Sequence, residues 1–169
     1  PTALVMAIAA LGKAPEDFRA HPERLVRALR FDMTGAYDDR AWTFPYQFPE
    51  AARLRGLGAR LVTGGIGRVL DELSVPGRVM VLNVNPSPAY AEVLRTPIDG
   101  GHFILATGRT SHGLQVLDPL ASGPLDLSLE VVNRALETPL GRDIPAFRGG
   151  ISLWRLDDHP GVRVPRVQP

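Results

Sequence analysis

Two neighbouring segments decide how this chain reads: Gly100-Gly101-His102-Phe103-Ile104-Leu105-Ala106-Thr107-Gly108, and then Gly113-Leu114-Gln115-Val116-Leu117-Asp118-Pro119. The centre of each is apolar and suits a pleated, buried surface. Turn formers lie between them, so the pattern predicts two strands, 102–107 and 114–117, joined as a hairpin by the turn 108–113. In an antiparallel pair the start of the first strand lies beside the end of the second. His102 opens one strand and Asp118 closes the other, which carries an imidazole to a carboxylate. A carboxylate on one ring nitrogen fixes the tautomer and leaves the other nitrogen free as a general base. The plainer reading stays open beside it: a lone His at a strand start is commonly a packed or surface residue, and Asp-Pro is an ordinary turn signal.

Working outward, residues 1–12 (Pro-Thr-Ala-Leu-Val-Met-Ala-Ile-Ala-Ala-Leu-Gly) read as a helix apolar on nearly every side. Such a helix belongs in the centre of a domain, with Pro1 suited to its start and Gly12 to its stop. Its lack of a basic leading region sets it apart from a signal peptide. Residues 22–30 form an amphipathic helix with Leu25, Val26 and Leu29 on one stripe. Residues 31–48, with Tyr37, Trp42, Phe44, Tyr46 and Phe48, read as an irregular surface segment. A third helix is expected over 50–57, closed by Gly58. Beyond it come a strand at 59–63, a helix at 66–73 and a buried strand at 78–84. A helix at 128–136 and a strand at 151–156 complete the pattern. Helices lead and an antiparallel sheet comes after them, the α+β order.

Composition narrows the class. The chain has 169 residues, enough for one domain with a real core and short for two, so 1–169 reads as a single domain. Its net charge is +1, and its basic residues are scattered among acids, which argues against a nucleic-acid partner. No apolar run approaches the roughly 20 residues of a membrane span. Zero cysteines exclude a disulfide framework and a thiolate metal site. The four histidines do not pair with ligands at helical spacing, so neither a metal nor a cofactor is expected.

Other motifs carry less. Gly64-Gly65-Ile66-Gly67 opens a helix after a strand, but Leu70 stands where a dinucleotide fingerprint needs its third glycine. His21, His112 and His159 read as loop or helix-end residues. Asn83 and Asn85 line a cleft or bond a turn, and the Asn85-Pro86 pair favours the turn. Trp42 and Trp154 read as packing residues, with Trp42 also placed to flank a cleft.

The sequence Gly-Gly-His-Phe-Ile-Leu-Ala-Thr-Gly followed by Val-Leu-Asp-Pro resembles the His and Asp segments of bacterial papain-like cysteine peptidases related to the bacteriocin-leader-processing group. Pro1-Thr2-Ala3-Leu4-Val5-Met6, with Leu11-Gly12, resembles the stretch directly after that group's nucleophile, in the pattern Cys-Gly-Pro-Thr-(Ala/Ser)-Leu. Residues 70–84 resemble its helix leading into the central strand, so the resemblance spans roughly residues 1–120. It implies a papain-like α+β fold, with a central buried N-terminal helix packed on a twisted, mostly antiparallel sheet. It implies thiol-dependent hydrolysis of a peptide or amide bond, or acyl transfer, on a peptide or protein substrate. By the same resemblance His102 is the base and Asp118 its orienter, while the nucleophilic Cys and an oxyanion Gln belong ahead of Pro1. Neither Gln47 nor Gln115 fills the second role, and Thr2 and Ser111 are poorly placed for the first. A chain without cysteine is expected to be inactive as it stands. The alternative is a non-catalytic binding or interaction domain derived from the same fold.

Overall fold

A computed structural model describes residues 1–38, 42–86, 88–95 and 100–158, with Pro88, Ala89 and Asp158 described by backbone alone. Six strands form one sheet: β1 Leu57–Thr63, β2 Arg78–Val84, β3 His102–Arg109, β4 Gly113–Leu117, β5 Leu125–Ser128 and β6 Gly149–Arg155, in the spatial order β1-β6-β2-β3-β4-β5. Every neighbouring pair is antiparallel. The helices are α1 Thr2–Ala10, α2 Pro22–Thr34, α3 Phe48–Arg53, α4 Gly65–Leu73, α5 Pro88–Leu94 and α6 Leu129–Glu137. The α+β class and the antiparallel sheet are as the sequence predicts. The order is less segregated, because α4, α5 and α6 fall between strands. β6 runs antiparallel to both β1 and β2 and lies between them, so α4 spans the gap from β1 across to β2.

Alternation along β2 divides the interior in two. Val79 and Val81 face one core with Leu105, Ile151, Leu153, Leu57 and Ala59, and that core is covered by α1, α2 and α3. Met80, Leu82 and Val84 face the other with Ile104, Ala106, Leu114 and Val116, covered by α4, α5 and α6. Val79, Val81, Ile104 and Val116 are all buried. α1 has Ala3, Leu4, Val5, Ala7 and Ile8 all buried, as its uniformly apolar sequence requires. α2 shows its stripe at Leu25, Leu29 and Met33.

Several boundaries differ from the sequence reading. α2 continues to Thr34, where Gly35 in the left-handed region (φ 71°) ends it. α3 starts at Phe48, whose ring is buried against Phe103, with centroids 4.7 Å apart. Gly58 does not close that helix; it lies inside β1, where a Cβ would meet the indole of Trp154 at 2.2 Å. α5 and β5 have no counterpart in the sequence reading. The glycine turn before α4 is closed to phosphate, since Gly64 and Gly65 both donate their N–H groups to the Arg148 carbonyl, at 3.2 and 2.8 Å. His159 lies outside the described residues.

β6 is squeezed between two strands, and its first residues have no room for side chains. A Cβ on Gly150 would lie 2.3 Å from the Val81 carbonyl oxygen, whereas one on Gly67 in α4 would meet nothing within 4 Å. Gly150→Ala is therefore expected to cost about 1–3 kcal/mol by overpacking, and Gly67→Ala to gain about 0.5–1 kcal/mol from helix propensity. Urea unfolding midpoints check both, and an unchanged midpoint for Gly150→Ala would contradict the β2–β6 register.

Candidate active site

The β3–β4 hairpin places His102 and Asp118 as the sequence predicts. Leu105 pairs with Leu117, so continuing that register sets Asp118 opposite Ile104, with His102 the diagonal neighbour on the same face. The imidazole Nε2 lies 2.9 Å from Asp118 Oδ2 and 3.1 Å from Oδ1. The aspartate side chain is 0% exposed and the histidine side chain 14%. A carboxylate accepts only, so the neutral ring carries its proton on Nε2 and presents a lone pair at Nδ1. No described residue forms a hydrogen bond with Nδ1.

Asp118 is held by more than the histidine. The Tyr90 hydroxyl of α5 donates to Oδ2, and the Leu120 amide donates to Oδ1 at 2.7 Å, an Asx turn built on the Asp-Pro step. Burial alone pushes this carboxyl up. The hydrogen bonds from His102, Tyr90 and Leu120, with the charge of His102 when its ring is protonated, outweigh it and hold the carboxyl below its ordinary range. Burial, then the bond and charge of Asp118, push the Tyr90 phenol above its own range, so it stays a donor. Tyr90 is the site residue that sequence reasoning missed. Its only local signal is the short run Pro88-Ala89-Tyr90-Ala91-Glu92-Val93-Leu94, and nothing in that run points 28 positions ahead to Asp118.

The remaining candidates separate cleanly. Ser111 and His112 occupy the hairpin turn, at the opposite end of β3 and β4 from the pair. His21 is exposed at the start of α2, 3.5 Å from Glu23. Gln47 accepts from the Phe44 amide at 2.7 Å, and Gln115 from the Thr107 hydroxyl at 3.1 Å. Asn85 makes a turn, its amide donating to the Ala135 carbonyl at 3.0 Å and its side chain to the Pro139 carbonyl. Asn83 does not, and there the turn reading is corrected: it lines a cavity with Gly101, Phe103 and Trp42, while His102 does not line it. Trp154 packs, with the Arg78 guanidinium 5.1 Å over its ring.

Among the described residues, no three His, Asp or Glu side chains converge as metal ligands, and no helix is long and apolar enough to cross a membrane. No family model matches the chain, and no curated protein matches it.

The electrostatics of Asp118 fix the sign of two pH effects. A carboxyl titrating below its ordinary 3.8 in the fold contributes stability that is present above that pH and lost as pH falls through the folded value. Asp118→Asn is expected to cost roughly 1.5–3 kcal/mol at neutral pH and less in acid, as read by urea unfolding. Equal losses at both pH values would show that the charge is not what the site holds. A phenol raised above 10.0 contributes stability that is lost as pH rises past that value, and Tyr90→Phe should abolish this alkaline loss.

Proposed function

We propose that this domain is a thiol-dependent hydrolase of papain-like type, acting on peptide or amide bonds with His102 as general base and Asp118 as its orienter. The observation that carries the reading is the bond from His102 Nε2 to a fully buried Asp118 carboxylate, with Nδ1 left for a reaction partner. In such a reaction Nδ1 takes the proton of a thiol as the sulfur attacks the substrate carbonyl carbon. The proton then passes to the leaving amine as the C–N bond breaks, and water releases the acyl group by the same base. The tripod of donors on Asp118 keeps the ring from rotating between these steps.

The thiol is not among the 169 residues, which include no cysteine. α1 is the helix that the resemblance assigns to the nucleophile. A thiolate at a helix start is stabilised by unpaired amides and the helix dipole. α1 packs on the face carrying Phe103 and Leu105, whereas His102 pairs with Val84 and shares the opposite face. This reading therefore requires sulfur and imidazole to meet past the end of the sheet and not across its face.

A second reading, a non-catalytic binding domain of the same fold, is favoured by the missing cysteine and by the apolar cavity at Asn83. One variant separates the two. With Cys-Gly added directly ahead of Pro1, the hydrolase reading expects a thiol whose alkylation by iodoacetamide at neutral pH slows at least about tenfold in His102→Ala. Cleavage of an unfolded protein substrate should be lost with it. A thiol that reacts equally fast with and without His102 supports the binding domain instead.

A further inference from the structure

Asn83 is 4% exposed, yet its Oδ1 is buried without a hydrogen-bond partner among the described residues. A buried carboxamide oxygen without a partner is costly, and native chains retain few of them. This one lies in the wall of a cavity of about 340 Å³ at the end of the sheet, within the size range of small-ligand sites. Asn83 and Phe103 are paired across β2 and β3, so both project to the same side. Trp42 and Phe44 form one wall of the cavity, and Leu140, Ile144 and Phe147 another. Among the described residues, none that lines it carries a charge.

Both walls are held from behind. The Phe44 amide is fixed by Gln47 Oε1, and the Phe44 ring stacks on Tyr46 with centroids 5.6 Å apart. Across the cavity, Leu140 N donates to the Ile144 carbonyl at 2.9 Å. Gly101 leaves the oxygen uncovered, since a Cβ there would stand 3.6 Å from Asn83 Oδ1. Trp42, 71% exposed, stands at the cavity with its ring largely in solvent.

We propose that this cavity binds an uncharged amide bearing an aromatic or branched aliphatic group, with Asn83 as its polar anchor. The described walls offer an ion no charged partner, so it would lose its hydration without compensation from them. They accept an apolar body by burial and aromatic packing. An Asn side chain offers one acceptor and one donor edge, and an amide offers the same pair in complement. The ligand N–H donates to Oδ1. The site lies on the opposite face of β3 from the His102 imidazole, so it stands whether or not the domain is a hydrolase. The amide belongs either to a residue within a peptide or to a free small molecule.

The test titrates the chain with N-acetyl-L-phenylalaninamide, following tryptophan fluorescence and the backbone amide signals of residues 42–44, 83, 140–144, 146 and 147 by NMR. Saturable shifts confined to those residues are expected. Methyl 3-phenylpropanoate, which has a carbonyl but no N–H, should bind about tenfold more weakly, and Asn83→Leu should weaken the amide by a similar factor while leaving the ester unchanged. Trp42→Ala, at an exposed position where folding is not at stake, should weaken both ligands. A capped Ala-Phe-Ala peptide that binds more tightly than the single residue assigns the amide to a peptide, and weaker binding assigns it to a free small molecule. Absent saturation, shifts elsewhere, or equal affinity in wild type and Asn83→Leu would overturn the proposal.

Discussion

The pairing of β2 with β3 is the constraint on which both sites depend. β2 is buried on both sides from Val79 to Val84, so its alternation is enforced by two hydrophobic cores at once. Residues directly opposite each other in an antiparallel pair share a face. Val84 opposite His102 therefore sends the imidazole toward α5 and α6, and Asn83 opposite Phe103 sends the carboxamide toward α1 and the 42–45 loop. A slip of one residue would exchange the two and expose one core, a loss far larger than any polar contact at either site. The hydrophobic register thus sets the chemistry without any polar residue having to specify it.

Asp118 shows how a buried charge is tolerated once that register is set. Desolvating a carboxylate is expensive unless its lone pairs are filled. Three donors from three separate pieces of chain fill them: His102 at the start of β3, Tyr90 in α5 and the Leu120 amide after β4. Tyr90 arrives there because the chain leaving β2 is clamped. Asn85 bonds the Ala135 carbonyl in α6 and the Pro139 carbonyl beyond it, so α5 sets out from a fixed point. The donor set is a product of tertiary structure in which only His102 and Leu120 are sequence neighbours of the hairpin.

This division explains what the sequence discloses. The His102–Asp118 contact is legible because a tight hairpin is local, and two apolar runs around a turn determine it. The buried strand at Arg78–Val84 and the apolar α1 are legible for the same reason: their composition leaves one environment available. α5 is not legible, being a seven-residue helix set between Asn85-Pro86 and a further run of turn formers. β5 spans four residues, too short for alternation to stand out. The Gly56–Gly58 region misleads because either glycine can end a helix. Gly56, with φ 73°, takes the left-handed turn, while Gly58 is needed under Trp154. Asn83 reads in sequence like Asn85, as a turn residue, since neither its burial nor its missing partner has a sequence signature.

Both candidate sites lie at one end of the sheet, and topology gives the reason. At the other end, β3 and β4 are joined by the tight turn at Thr110–Gly113, whose polar groups are spent on themselves, with Thr110 N donating to the Gly113 carbonyl and Gly113 N to the Thr110 hydroxyl. At the His102 end, β2 leaves into α5 and β6 enters after the 140–147 loop, so the strands there are joined by longer connections and not by a tight turn. Longer connections leave room beside strand ends for groups whose polar atoms are not spent on a turn, which is why such ends collect binding and reactive groups. His102 Nδ1 and the Asn83 carboxamide are two such groups, one on each face, separated by a single residue step along paired strands. A ligand seated against Asn83 would therefore lie beside the backbone of Gly101, the residue directly before His102, and the two faces meet where that glycine keeps the chain bare.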